Sequence, residues 1–311
     1  MSTKKGKVLV TGGAGFIGSH QVDALIDAGF KVVVVDDLSA GHEYNVNSDA
    51  TFYQMDIRDT KLVDVFDKER PDYVFHFAAQ INLRRSVEDP VFDADVNVIG
   101  SLQLLDLCVE YGVKKVMFAS TGGALYGEAE VVPTPETYPC RPGSPYGIAK
   151  YTIEQYLQFY SSYYELQYGI VRYSNVYGPR QNPKGEAGVI SIFAERLLNH
   201  QEAVIHGDGH QTRDYVFVED VIAANMLVFA QAEQGIYNVC TARQTTVNEV
   251  FDYMAANFEG SPRAIHKEAF YGQSVSCLSY QKIKNELNWE PEWSMEKGIE
   301  KTVEWFKNKK Q

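Results

Sequence analysis

Four glycines fall within eight residues at Thr11-Gly12-Gly13-Ala14-Gly15-Phe16-Ile17-Gly18, between the apolar run Lys7–Val10 and an amphipathic stretch at Ile17–Ala28. Few folds use such a segment. Glycines at these spacings make a tight strand-to-helix turn, let the backbone approach a pyrophosphate, and pack helix on strand. The first N–H groups of that helix then face the anion. The segment satisfies GxGxxG from Gly13 and GxxGxxG from Gly12. A match of this kind is weak alone, and its context decides. The next apolar run, Lys31–Val35, ends in Asp36, 18 residues after Gly18. A carboxylate there accepts hydrogen bonds from an adenosine ribose and repels a 2′-phosphate, so the expected cofactor is NAD rather than NADP.

The first 120 residues continue the alternation. Thr51–Met55, Asp72–Ala78 and Lys114–Ala119 read as further strands, with helices near Lys61–Glu69 and Ala94–Tyr111. Several strands are apolar throughout, as strands covered on both faces should be. The order predicts an α/β fold, a Rossmann-type doubly wound parallel sheet with right-handed crossovers. Val131–Pro145 carries five prolines and reads as a loop. Ser144-Pro145 then supplies an N-cap and a first-turn proline for a helix running to about Leu166. A strand near Gly169–Tyr173 follows, then a Gly/Pro-rich loop at Gly178–Gly188 and helices near Val189–Asn199, Val221–Ala232, Val247–Phe258 and Met295–Asn308. At 311 residues, about two domains are expected. We expect a cofactor domain at 1–173, rejoined by about 214–239, and a smaller mixed α/β substrate lobe at 174–213 and 240–311.

Composition removes other classes. With 29 Lys+Arg against 41 Asp+Glu, the net charge is −12. Such a surface repels a phosphate backbone, so nucleic acid is not an expected partner. No apolar stretch approaches the ~18 residues of a spanning helix, and the polar start at Met1–Lys7 leaves no room for a signal peptide. The four cysteines, Cys108, Cys140, Cys240 and Cys277, form no CxxC pair, so neither a metal site nor a disulfide framework is expected. A cytoplasmic enzyme or binding protein remains.

A tyrosine and a lysine at i, i+4 share a helix face, and the ammonium favours the phenolate, which suits proton transfer. Three such pairs occur: Tyr111/Lys115, Tyr146/Lys150 and Tyr280/Lys284. The first spans Gly112 between a helix end and a strand start. The third lies far in sequence from any glycine turn and reads as a surface pair. Tyr146/Lys150 opens the helix after the proline loop, and 25 residues before Tyr146 lies Thr121, at the end of the fifth strand. Ligands of open parallel sheets gather at the carboxyl ends of strands. Thr121, Tyr146 and Lys150 are therefore the candidate catalytic set.

With these residues in place, the chain resembles the extended short-chain dehydrogenase/reductases, in particular the NAD-dependent nucleotide-sugar epimerases. The likeness covers nearly the whole chain: Thr11–His20, Val35–Gly41, Met55–Asp59, His76–Gln80, Asn97–Ser101, Ser120–Gly127, Ser144–Lys150, Arg172–Gln181 and Gly207–Asp220. The resemblance implies that Gly12, Gly15, Phe16, Ile17 and Gly18 lie along the pyrophosphate and that Asp36 holds the ribose, with Asp37, Ser39 and Gly41 beside it. Asp56 and Ile57 would bracket the adenine. Ala78, Ala79, Gln80 and Asn97 would line the groove, and Tyr173 would sit by the nicotinamide, near Tyr146 and Lys150. Asn175 and Arg213 would grip the diphosphate of the substrate, Val189 would shelter its base, and Thr121 would orient the sugar hydroxyl. The activity implied is 4-epimerisation of UDP-glucose and UDP-galactose through a transient 4-keto sugar, with a UDP-sugar as partner. A homodimer built on helices near Ser101–Tyr111 and Ala149–Tyr164 is also implied. The alternatives are a UDP-N-acetylhexosamine or UDP-glucuronate 4-epimerase, or a catalytically silent NAD-binding regulator.

Three departures from the family pattern bear on substrate. Gly122-Gly123 follow Thr121, where related dehydratases place acids, which disfavours dehydration. An arginine and an acid usual before the last helices are replaced by Ala269 and Gly272, removing a diphosphate anchor. The position that gates bulk at the sugar C2 group is the small Ser276, while Arg84 and Arg85 offer charges that a uronate carboxylate could meet.

Overall fold

Val8 and Val10 bury on one side of the first strand and Leu9 on the other, and all three are fully inaccessible to solvent. A strand buried on both faces needs helices above and below, and the chain supplies them. The computed structural model describes residues 5–184, 188–232, 234–260, 262–268 and 275–309. β1 (Lys7–Thr11), β2 (Lys31–Asp36), β3 (Thr51–Gln54), β4 (Tyr73–His76), β5 (Lys115–Thr121) and β6 (Gln167–Tyr173) are joined by a seventh strand, Gly235–Val239. The sheet order is β3-β2-β1-β4-β5-β6 and then the seventh strand, every pair parallel. The order reverses between β1 and β4, which opens a crevice at the carboxyl ends of those two strands.

Helices Phe16–Asp27 and Val218–Gln231 cover one face, and Leu62–Glu69, Gly100–Glu110 and Pro145–Tyr164 the other. The fold is thus the Rossmann-type α/β sheet expected from the sequence. A third apolar cluster lies outside the sheet. Helices Val189–Leu198, Val247–Ala255 and Met295–Lys309 contribute Phe193, Val250 and Ile299 to it. Its strands are short: Asn175–Tyr177 pairs with Tyr215–Phe217, Ala203–His206 with Ala264–Lys267, and Thr212–Arg213 with both Thr245–Thr246 and Val275–Ser276.

Two elements differ from the sequence reading. The helix expected over Ala94–Tyr111 is Gly100–Glu110, preceded by a widened π-type turn at Asp95–Ile99 and a short helix at Pro90–Ala94. The chain after β5 turns at once into the one-turn helix Gly122–Leu125, which the sequence reading did not include; Gly122 packs so closely there that a Cβ would stand 2.1 Å from the Leu278 side chain. Among the described residues all four cysteines are free and no helix is long and apolar enough to cross a membrane.

Candidate active site

The crevice is a cavity of about 330 Å³ that runs from the glycine turn to the start of helix Pro145–Tyr164. Its floor follows from backbone necessity. Gly12 has φ +71°, and a Cβ there would meet Ala78 N at 2.6 Å. Gly18 packs so closely that a Cβ would lie 2.1 Å from Gly12 O. Helix Phe16–Asp27 begins at Gly15 with no side-chain cap and no acid in its first turn. Its free N–H groups and positive dipole end are left open to an anion.

Asp36, almost wholly buried at the tip of β2, accepts from Ala14 N at 2.9 Å and from Leu38 N at 2.8 Å. Burial raises its pKa, and those N–H groups oppose the rise. Both carboxylate oxygens keep lone pairs for a further donor. Asp56 and Ile57 line the same end. Arg58 holds Asp56 below the usual carboxylate range, with its Nη2 at 2.6 Å. An open helix start, a turn only glycine can make and a ribose-level carboxylate together fit a dinucleotide.

Gly12, Gly15, Phe16, Ile17, Gly18, Asp36, Asp37, Gly41, Asp56 and Ile57 all reach this cavity, as do Ala78, Ala79, Gln80, Tyr146, Lys150 and Tyr173. Ser39 and Asn97 do not line it. Ser39 is exposed, its N–H donating to Asp37 Oδ1 at 2.9 Å. Asn97 is buried behind the wall, accepting from Gln80 N at 2.8 Å and donating to Gln80 O at 2.9 Å. Through these bonds it braces the cavity loop at Gln80.

Ser144 Oγ caps the helix by accepting from Gly147 N at 3.1 Å, with Pro145 at its first position. Tyr146 and Lys150 therefore project from the first turns into the cavity. The sequence reading has the ammonium hold the phenol as phenolate, but the protein's own atoms work the other way. Burial raises the Tyr146 pKa, and the nearby Asp93 adds to the rise. Burial also lowers Lys150 to about 8, against opposing pulls from Asp93 and Glu154. Lys150 Nζ donates to Ala119 O at 2.9 Å and stands 6.0 Å from the Tyr146 ring centre. A low proton affinity at Tyr146 needs an added positive charge beside it.

Thr121 ends β5 and is not on the cavity wall. Its Oγ1 accepts from Ala124 N at 3.3 Å, and the wall there is made by Ala119 and Ser120. Asn175, Val189 and Arg213 also lie outside the cavity, on the outer lobe. Asn175 N donates to Asp214 O at 2.9 Å. Arg213 faces Ser276 and Thr245 across its two strand pairings, and Val189 begins helix Val189–Leu198. The structure thus brings Asn175, Arg213 and Ser276 near one another. Ala269 and Gly272 lie outside the described residues. Arg85 lies over the Phe92 ring at 3.8 Å and lines the cavity. Of the rejected pairs, Lys115 turns away from Tyr111 to donate to Val228 O at 2.8 Å, and Lys284 pairs with Glu290.

Sequence reasoning missed the supports. Glu154, one turn beyond Lys150 and fully buried, pairs with Arg172 Nη2 at 2.5 Å and accepts from Ser120 Oγ at 2.5 Å. Arg172 also donates to Tyr126 OH at 2.8 Å. The network ties the helix to the residues adjoining Thr121 and Tyr173. An acid four residues after Lys150 is a readable signal on a helix; its partners across the sheet are not. Asp214, fully buried, joins the outer strands by accepting from Thr241, Ala242 and Leu278 N–H groups.

Residues 8–240 match the family model described as the NAD dependent epimerase/dehydratase family. A putative UDP-glucose 4-epimerase of Methanocaldococcus jannaschii is 44% identical over 97% of this chain and 98% of that protein. The UDP-glucose 4-epimerase of Thermotoga maritima, solved with UDP-glucose, superposes with a TM-score of 0.95 at 49% identity, covering 98% of this chain and all of that one. That of Thermus thermophilus, solved in complex with NAD, gives 0.92 at 44% identity over 97% of this chain and 99% of that one. The sheet, the glycine turn and the matches over the full length agree: this chain belongs to the NAD-dependent epimerase/dehydratase family.

Proposed function

We propose that the chain is a 4-epimerase that interconverts UDP-glucose and UDP-galactose with NAD held through the cycle. The observation that carries the reading is Tyr146 and Lys150 facing one cavity with the glycine turn and Asp36. Relatives that carry this activity in their names match along nearly the whole chain. The cofactor lobe is 1–173 with 214–239, and the substrate lobe 174–213 with 240–311. Gly12, Gly15, Phe16, Ile17 and Gly18 hold the cofactor diphosphate, Asp36 the adenosine ribose, and Asp56 and Ile57 the adenine.

Bound NAD supplies a hydride acceptor that becomes the donor for the return step, by way of a 4-keto sugar. Tyr146 takes the proton of the 4-hydroxyl through its phenolic oxygen and gives it back when the ketone is reduced. The positive nicotinamide beside it would offset the burial that raises its pKa. Lys150, tethered to Ala119 O, adds a second positive charge and fixes the site's geometry. Thr121 Oγ1 accepts from Ala124 N and so keeps its own O–H to donate to the sugar hydroxyl. Arg213 and Asn175 meet the UDP diphosphate at the lobe edge. Rotation of the flat ketone before reduction accounts for inversion at one carbon only.

Incubation of the purified protein with UDP-galactose, without added cofactor, should yield UDP-glucose by NMR. Tyr146→Phe should lower turnover by about 10²–10⁴-fold, the usual worth of a positioned acid–base group. Unchanged turnover would remove Tyr146 from the mechanism. Parallel assays with UDP-N-acetylglucosamine and UDP-glucuronate test the small Ser276 and the Arg84/Arg85 pair; faster turnover of either would reassign the sugar. We also propose a cytoplasmic homodimer. Its contact is the exposed aromatic side of helix Pro145–Tyr164 with the neighbouring Gly100–Glu110.

A further inference from the structure

Among the described residues, the buried side-chain atoms without a hydrogen-bond partner are Asp93 Oδ2, Arg180 Nη1 and Gln181 Oε1. Two of the three belong to adjacent residues of one loop, and both residues line the dinucleotide cavity. Unpaired buried polar groups are rare because each forfeits its hydration, and a charged one forfeits most. Such a concentration at a cavity wall marks a place completed by something other than the protein.

The loop is fastened to the helix that starts at the glycine turn. His20 Nε2 lies 3.0 Å from Pro179 O, and Arg180 Nη2 lies 2.7 Å from Asp23 Oδ2. His20 and Asp23 both belong to helix Phe16–Asp27. Arg180 itself takes φ +68°, a left-handed conformation that arginine adopts only when its surroundings insist. One carboxylate occupies one end of the guanidinium fork and leaves the other end free to serve a second anion. Of the other cations that line the cavity, Lys150 is held by Ala119 O and Arg85 lies on the Phe92 ring, while Lys184, four residues further along the same loop, adds a charge that is not fastened to the glycine-turn helix as Arg180 is by Asp23. The helix start offers about half a positive charge, too little by itself for a diphosphate in a chain of net charge −12.

We propose that Arg180 is a binding residue for the cofactor diphosphate. A turn of its guanidinium sets Nη1 on a phosphate oxygen above Gly15 and Phe16, a contact that does not require the ion pair with Asp23. The proposal rests on the NAD reading above. The same chemistry could serve the substrate's diphosphate, but Arg180 shares its cavity with the glycine turn and not with Arg213 or Asn175.

The test follows NAD release from the purified holoenzyme after dilution, and UDP binding to the same holoenzyme by calorimetry. Arg180→Gln should speed NAD release at least about tenfold, with Arg180→Lys between it and the wild type, and with UDP affinity unchanged. Asp23→Asn should retain NAD as well as the wild type, because it breaks the ion pair but leaves the arginine free for phosphate. Equal loss in Asp23→Asn and Arg180→Gln would reduce Arg180 to a structural tie and overturn the proposal. Weakened UDP binding with unchanged NAD release would assign the arginine to the substrate and also overturn it. Wild-type protein that retains no NAD would instead refute the functional reading beneath it.

Discussion

Lys150 and Glu154 stand one helical turn apart, both buried and with opposite tasks. Lys150 needs a position, which Ala119 O gives it. Glu154 needs neutralisation, which Arg172 gives it in a fork of bonds from Nε and Nη2. A buried pair adds little net stability, but removing one partner leaves an uncompensated charge and costs about 3–5 kcal/mol. Glu154→Gln should therefore lower the unfolding free energy by about that amount, read by urea denaturation. A loss below about 1 kcal/mol would mean that Arg172 finds another acceptor. The Tyr146/Lys150 pair was legible because the two are four residues apart on one helix, and the proline loop and N-cap before them announce where that helix starts. The Glu154–Arg172–Tyr126 network was not, because its members meet only when β5, β6 and the helix pack. Thr121 was legible as a strand end, but its hydroxyl is engaged locally with Ala124.

β4 shows what an element does for the site beyond carrying residues to it. His76 at its end is buried between Thr11 Oγ1, 2.7 Å from Nδ1, and Ser101 Oγ, 2.9 Å from Nε2. Ser101 donates onward to Asn97 O at 2.7 Å, so the network assigns the Nε2–H tautomer, with Nδ1 accepting from Thr11. Protonation would turn Nδ1 into a donor and set it against a hydroxyl already placed to give. Burial, with a smaller push from the Lys150 charge, lowers His76 to about 3. Below about pH 6.5 the unfolded chain takes up this proton while the folded chain does not. Stability from this group is therefore full above pH 6.5 and falls as pH drops towards 3, by up to about 1.4 kcal/mol per pH unit. The raised carboxyls Asp36 and Asp214 act in the opposite sense, so the comparison must be with a variant. His76→Gln should show a shallower loss between pH 6.5 and 4.5 in a urea series; parallel slopes would exclude His76. Strands as apolar as β1 and β2 declare themselves in sequence. The two- and three-residue strands of the outer lobe do not, since they are fixed by Asp214 and by pairing between distant segments. Nor does the π-type turn at Asp95–Ile99, which carries Asn97 against Gln80.

At the scale of the molecule, an acidic chain must gather attraction where it needs it, and the same helix that carries Tyr146 and Lys150 does so on its other side. Its buried face holds Lys150, Ile153, Glu154 and Leu157. Its outer face shows Tyr163 at 71%, Phe159 at 48% and Tyr164 at 46% exposure, with the Phe159 and Tyr163 rings stacked at 5.6 Å. Tyr160, on the same helix, is buried instead and donates its hydroxyl to Asp106. Ile148 and Ile99 extend the exposed patch towards the neighbouring helices. Exposed aromatics clustered on one helix face bury large areas on association and anchor interfaces. A two-fold axis through this face would pair each helix with its copy, and the charges carried elsewhere on the surface would stay in water. Tyr163→Asp combined with Phe159→Asp would bring like charges together across that axis. Sedimentation velocity at micromolar concentration should find the wild type as a dimer and the double variant as a monomer. Because the altered residues point away from the cavity, the variant should keep its cofactor, and a wild type that sediments as a monomer would reject the interface outright.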